Sequence, residues 1–515
     1  MAKYSGAKAR HNLQAPIRTT DAAVATFEDG RGYERDAKSA LFLLAVSNMV
    51  REQTYYEGAW DRDRRFQRLI HQIAASEPEW IAGFVPFLRT SMQMRSASMV
   101  MAAEYVKAGA PHGRQVVASA LHRADEPAEI LAYWAQTYGK QFPQPLKRGV
   151  AGAVQQLYTE RAALKYDGAD AAWRMADVIE LSHAHPLTPR QSSLFKWLLD
   201  KRHRRETVPE DLRMIAAHMR LEATPMAERR ALLDSPQQLA EACMTWERLS
   251  GWLQGPMDAA AWEAQIPQMG YMALLRNLRN FEQAGVSDAV LQQVATKLAD
   301  PAEVTASRQF PIRFYSAFKN LASERFGWVL EQALEASLRN IPEFPGRTLV
   351  LVDASGSMNS RLSSRSEVMR WETAALFGTA LARRCEQAEL LAYSGGAAQI
   401  PYDQSVLRTI PLCMHWPGAG KSTNTFAVLA DAYQQHDRVV ILTDEQHSGA
   451  GQDVLDEITC PIYTFNLAGY QVAQMQQGEH GRYVFGGLTD AGFAMLKTLE
   501  EFQNRGWPWL RESGS

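Results

Sequence analysis

At 515 residues, with 46% hydrophobic and 22% charged side chains, the chain is a folded protein too long for one ordinary core, so two or more domains are expected. It contains no run of about eighteen apolar residues, which argues against a membrane-spanning helix. The net charge of −2 says little until it is divided: from Gly346 onward there are 13 basic against 18 acidic residues, and before it 42 against 39. The basic charge therefore leans towards the first two-thirds, which permits a nucleic-acid surface there without demonstrating one.

The opening stretch, MAKYSGAKARHNLQAP, carries charge but no apolar segment after it, which argues against a secretory signal. Cys243, Cys385, Cys413 and Cys460 are scattered with neither metal-ligand spacing nor a disulfide pattern. A reduced, cytoplasmic protein is the expectation.

To about residue 345 the chain reads as helices almost throughout. SALFLLAVSNMV, RRFQRLIHQIAA, PEWIAGFVPFLRTSM, SASMVMAAEYVKAG, GRQVVASALHRA and PAEILAYWAQTYG each repeat apolar residues at helical spacing. Short Gly, Pro, Asp or Ser breaks separate them. The units pair at intervals of about 35 to 45 residues, the period of HEAT-type helical hairpins.

The pattern changes at EFPGRTLVLVDASGSM. Thr348 to Val352 is a short β-branched apolar run between a Pro-Gly break and a polar turn, which predicts a buried strand. Ala388–Ser394, Asp437–Asp444 and Pro461–Leu467 repeat that pattern, with helical stretches between them. Strand–helix alternation of this kind predicts a parallel, doubly wound sheet. Two domains follow, residues 1–345 helical and 346–515 α/β.

Gly418 to Thr423, GAGKST, looks at first like a phosphate-cradling loop. The position that such a loop reserves for its first glycine is His415, followed by Trp416 and Pro417, and bulky rings there crowd the turn the backbone must make. Nucleotide hydrolysis is therefore a minor alternative, to be tested by Lys421→Ala.

A different constellation replaces it. Asp353, Ser355 and Ser357 form D-x-S-x-S directly after the first strand, and Asp444 ends a later one. Between them the GKSTNTF loop offers Thr423, with Thr425 a close second. Carboxylates and hydroxyls are oxygen donors suited to a hard divalent cation, and parallel strands end where α/β folds bind ligands. Taken singly, the same residues would serve as helix caps or turn residues. Together they resemble the metal-ion-dependent adhesion site of von Willebrand factor A domains, with Mg²⁺ the expected ion. No catalytic pairing of carboxylates, Ser-His-Asp order or Cys-His pair stands out, so a non-enzymatic protein is expected.

An A-like domain behind some 340 helical residues resembles the Ro 60 kDa autoantigen family and its bacterial members, whose helical part is the TROVE domain. The similar stretches are REQTYYEGAW, RGVAGAVQQLYTERAALKYDG, VIELSHAHP, MALLRNLRNF, SRQFPIRFYSAF, LVLVDASGSM, STNTFAVL, VVILTDEQ and FGGLTDAGFAMLKTLEEF. They span about residues 40 to 505. The resemblance implies a ring of HEAT-like repeats shut by the A-like domain, Y-like noncoding RNA on its outer surface and single-stranded 3′ ends of misfolded RNA in its hole. In some bacterial relatives an exoribonuclease joins them, and the protein is expected to be monomeric within its ribonucleoprotein. By position it implies RNA contacts for Lys165 and His183, with Lys147 and Arg148 as further candidates. Tyr166, His185, Arg190 and Lys196 lie close by in the sequence, and Asp200–Arg205, DKRHRR, adds a basic run that reads equally well as a solvated helix end. A competing expectation is a protein-binding adaptor whose metal captures a partner's carboxylate.

Overall fold

The computed structural model describes residues 17–510 apart from 28, 48–56, 93, 169–172, 204–207, 308, 310, 322, 363–365, 448–450, 471, 478–480, 487–495, 498–499 and 501–506. The early TYY stretch, Phe310, Arg204, Arg205 and most of the closing FGGLTDAGFAMLKTLEEF segment therefore lie outside the described residues. The chain divides into two compact units. The first comprises Met1–Ala97, Phe310–Lys319 and Leu334–Ser515, and the second Ser98–Gln309 and Asn320–Ala333.

The first unit is built on strands β3 (Phe344–Asp353), β4 (Cys385–Tyr393), β5 (Ala397–Gln399), β6 (Arg438–Thr443), β7 (Ile462–Asn466) and β9 (Arg482–Gly486). Their order is β5-β4-β3-β6-β7-β9, parallel throughout except for the antiparallel edge strand β5. The chain leaves the central strand β3 towards one edge and returns on the other side at β6, so a topological switch point lies between them. Leu349 to Val352 and Val439 to Leu442 are wholly buried, as continuous apolar runs in a sheet covered on both faces should be. Burying each such side chain contributes roughly 1.5–3 kcal/mol. The helix Arg370–Ala382 lies on one face. Gly378 allows this close approach: a Cβ there would sit 2.6 Å from Val352 Cγ2 and 3.0 Å from Leu442 Cδ1. On the other face Phe426, Val428 and Leu429 of the helix Thr425–Ala432 join Leu349, Leu351, Tyr393 and Ile441 in one core.

A second sheet was not foreseen. β1 (Thr19–Ala25) and β2 (Arg31–Arg35) form a hairpin, and β2 pairs antiparallel with β8 (Val472–Ala473). The first 97 residues thus cluster with the sheet that begins at Phe344, whereas the sequence grouped them with the helices. The chemistry holding them there is specific. Arg35 and Glu445 form a fully buried ion pair, with Arg35 Nη1 donating to Tyr470 O at 2.9 Å and Gln477 Nε2 to Glu445 Oε1 at 3.0 Å. Helices α1 (Ala37–Ser47), α2 (Ala59–Ser76) and α3 (Pro78–Thr90) follow. Phe42, Trp80 and Phe84 pack against Trp507 and Trp509 at ring separations of 4.6–6.1 Å, stacked, tilted or edge-on.

The second unit is helical among its described residues. It begins with α4 (Arg95–Lys107), α5 (Gly113–Ala120), α6 (Glu126–Tyr138), α7 (Gln144–Leu157), α8 (Glu160–Tyr166), α9 (Met175–Ser182) and α10 (Pro189–Arg202), and short helices continue to Ser307. They pack as successive hairpins, α5 on α7, α7 on α9 and α9 on α10. Gly149 makes the first crossing possible, because a Cβ there would lie 2.5 Å from Val117 Cβ and 2.8 Å from Arg114 O. Glu104 is buried with both oxygens satisfied, accepting from Tyr133 Oη at 2.5 Å and Tyr138 Oη at 2.7 Å.

Candidate functional site

The first candidate lies at the switch point of the sheet. Asp353 closes β3, and Ala354 N–H donates to Tyr393 O at 2.8 Å, turning the chain over the end of β4. Ser355 N–H donates to Asp353 Oδ1 at 2.9 Å, and the Ser355 and Ser357 hydroxyls lie 3.3 Å apart. Asp444 follows β6 directly, on the strand next to β3. Thr443 Oγ1 donates to Asp353 Oδ2 at 2.5 Å, and Gln446 N–H to Asp444 Oδ1 at 3.1 Å. Asp353, Ser355, Ser357, Thr423 and Asp444 are all buried.

The threonine loop is tied to the same turn. Gly420 N–H donates to Ala354 O at 2.8 Å, Gly356 N–H to Lys421 O at 3.3 Å, and Ser394 Oγ to Lys421 O at 2.8 Å. Asn424, not a threonine, caps the following helix, its side chain accepting from Ala427 N–H at 3.1 Å. Thr425 is inside that helix and its hydroxyl meets Tyr393 Oη at 3.4 Å. This leaves Thr423 as the buried loop hydroxyl outside the helix, Ser422 being exposed. Lys421 contributes its carbonyl inward, while its side chain is exposed.

The electrostatics suit a cation. Burial, reinforced by the nearby charge of Asp444, raises the Asp353 carboxyl from its ordinary value of 3.8 to about 7, against the opposing hydrogen bonds from Ser355 and Thr443. Two carboxylates sharing a dry site repel unless a proton or a cation intervenes. The donor set of two carboxylates and three hydroxyls, oxygen throughout, fits Mg²⁺ better than a soft metal.

The phosphate-cradle alternative loses its structural basis. The segment ahead of GAGKST is the helix Val406–Leu412 followed by turns, not a strand. Trp416 fills the space beside Gly418, where an added Cβ would collide with the indole at 1.7 Å.

The second candidate lies on the helical unit. Lys165 is exposed at the end of α8, its ammonium 5.0 Å from the centre of the Tyr166 ring. Arg123, which the sequence did not single out, places its guanidinium 5.5 Å from the same ring while pairing with Asp125 at 2.8 Å. Two cations beside one half-exposed aromatic ring, one of them shared with Asp125, make a place where a phosphate and an unpaired base can be held together. The sequence signal for Arg123 was slight, one arginine in the loop between α5 and α6.

His183 is the C-cap of α9 in the left-handed conformation, φ 54°, its N–H donating to Ile179 O while its imidazole is exposed. Arg148 is exposed and Lys147 half-buried near the start of α7. Gln155 Nε2 on α7 donates to His185 O at 2.8 Å, which ties α7 to the loop carrying His183 and His185.

Other basic residues are spoken for. Arg190 is ion-paired with buried Glu160, although its side chain stays 65% exposed. Lys201 meets Asp167 at 3.1 Å and Arg202 meets Asp177 at 2.8 Å. The described part of the DKRHRR run is thus a neutralised helix end.

No helix among the described residues is long and apolar enough to cross a membrane. The family model for the TROVE domain matches residues 70–327. Telomerase protein component 1 of Mus musculus is 32% identical over 130 residues, 24% of this chain. The chain spans 4% of the length of that protein. Among solved structures, the Deinococcus radiodurans RO (RSR) protein aligns with a TM-score of 0.64 at 18% identity, covering 90% of this chain and 100% of its own. At that identity the likeness concerns the fold.

Proposed function

Because the chain belongs to the TROVE-domain family, we propose that it is a non-catalytic RNA-binding scaffold of the Ro type. It holds a Y-like noncoding RNA on the outer face of the helical repeats and takes single-stranded 3′ ends of misfolded RNA for quality control in the cytoplasm. An exoribonuclease is the fitting partner for the released ends, and the protein acts as a monomer within the ribonucleoprotein. The observation that carries this reading is the Lys165–Tyr166–Arg123 cluster inside the TROVE match. Lys165, Arg123 and Arg148 neutralise phosphates, while Tyr166 and His183 offer planes on which unpaired bases stack. Arg190 and Lys147 contribute from the margin.

The switch-point constellation supports a resident Mg²⁺ held by Asp353, Ser355, Ser357, Thr423 and Asp444. When bound, the ion supplies a Lewis-acidic docking point for a carboxylate. The chain's own residues position that point: Thr443 and the Ser355 N–H orient Asp353, and Gln446 orients Asp444.

Binding of a structured RNA to the full chain, followed by fluorescence anisotropy at rising salt, tests the RNA reading. Affinity should fall along a straight line on a log–log plot, by the counterion release that phosphate contacts cause. Absence of RNA retention at low salt overturns it and leaves the metal-dependent adaptor. Asp353→Ala should abolish capture of a carboxylate-bearing partner and leave RNA retention intact.

A further inference from the structure

In the first unit, three arginines outside the candidate metal-ligand set are buried with too few partners. Arg62 and Arg65 are one helical turn apart on the inward face of α2, among Phe66, Leu69 and Ile70. Arg62 is 1% exposed, Arg65 7% and Arg370, first residue of the helix Arg370–Ala382, 3%. A single carboxylate, Glu57, serves two of them: its Oε2 accepts from Arg62 Nη1 at 2.7 Å and from Arg65 Nη2 at 2.8 Å. Two carbonyls after β7 take one N–H each, Ala468 O from Arg62 Nη2 at 2.7 Å and Gly469 O from Arg65 Nη2 at 3.1 Å. Among the described residues nothing accepts from Arg62 Nε, Arg65 Nε and Nη1, or Arg370 Nε and Nη1.

These groups form one electrostatic cluster. Burial lowers the Arg62 guanidinium to about 10 against the attraction of Glu57, and the charges of Arg65 and Arg370 push it further down. Among the described residues, three buried cations against one carboxylate leave two positive charges in excess. A buried, uncompensated charge and a buried donor without an acceptor each destabilise a fold. The fold keeps all three arginines inside nonetheless, on two separate elements.

We propose that Arg62, Arg65 and Arg370 enclose a dianionic oxyanion of the phosphate class. The guanidinium fork matches phosphate oxygens two at a time, and a dianion balances the two excess charges. The group arrives either as free inorganic phosphate or as the terminal phosphomonoester of an RNA. The site does not depend on RNA binding by the helical unit.

The test uses the full chain, with thermal unfolding and calorimetric titration of inorganic phosphate against chloride at matched ionic strength. Wild type should show a saturable rise in melting temperature specific to phosphate. Arg370→Met, which keeps the apolar stem, should weaken phosphate affinity at least tenfold yet melt no lower than wild type without phosphate. Arg370→Lys, which keeps the charge but not the fork, should weaken it at least threefold and serves if the methionine variant fails to fold. Arg64→Ala, exposed on the same helix, should change nothing. A 5′-phosphorylated trinucleotide and its 5′-hydroxyl counterpart separate the sources. Competition by the phosphorylated form alone identifies an RNA end, and competition by neither identifies the free ion. A phosphate response no larger than that to chloride, or equal in wild type and both Arg370 variants, means an adventitious ion only and overturns the proposal.

Discussion

The two candidate sites differ in how their charge is kept. At the sheet's switch point every candidate ligand is buried, and backbone hydrogen bonds fix the loops that carry them. On the helical unit the candidates are exposed or half-exposed, and their neighbours are carboxylates that neutralise several of them. A buried polar site must be satisfied locally, so its residues fall into a short, spaced motif. An exposed cationic surface is assembled from distant turns and depends on which acids fold against it. The first therefore tolerates few substitutions, and the second loses affinity in small steps.

The largest expected effect lies where burial is complete. Glu445→Gln leaves Arg35 charged in the interior, and a loss of about 3–5 kcal/mol in denaturant unfolding is expected. A loss near zero would contradict the fully buried pairing. The comparison sharpens at Gly149, a packing position of the helical unit. Gly149→Val drives methyls into Val117 and the Arg114 carbonyl, and roughly 1–3 kcal/mol should be lost.

The switch-point site gives a pH signature. Asp353 in the fold holds its proton up to about 7, whereas the unfolded chain releases it near 3.8. The folded state therefore binds more protons between those values, and the stability of metal-free protein should fall as pH rises from about 4 to 7. Saturating Mg²⁺ should flatten that slope, and Asp353→Asn should remove both the slope and the Mg²⁺ response in thermal unfolding. A metal response that survives in Asp353→Asn would break the assignment of the ligand set. The smallest effects belong to the helical surface. Lys165→Ala should weaken RNA binding uniformly across sequences and reduce the salt slope by about 1.

The sequence made the D-x-S-x-S motif and its sheet legible because strands buried on both faces are unbroken apolar runs. Thr348–Val352 and Asp437–Asp444 fall on β3 and on β6 with the Asp that follows it. D-x-S-x-S followed by a strand-ending Asp needs only local spacing. The β1–β2 hairpin was missed although Asp29-Gly30 stands at its turn, because its partner β8 is some 440 residues away and two residues long. For the same reason the grouping of the first 97 residues with the sheet was invisible. The basic run at Lys201 and Arg202 could not be judged from sequence, since Asp167 and Asp177 neutralise it from other helices. Arg190 presented the same difficulty through Glu160. Arg123 was passed over because only folding brings it to the face of Tyr166.

The most direct test of the central claim is the affinity of the full chain for a structured RNA carrying a single-stranded 3′ end, measured across a salt series in wild type and in a Lys165→Ala, His183→Ala double variant. Wild type should bind with a linear log–log salt dependence, and the double variant should bind at least tenfold more weakly with a shallower slope. Equal affinity and equal slope in the two proteins would contradict the placement of RNA on this face.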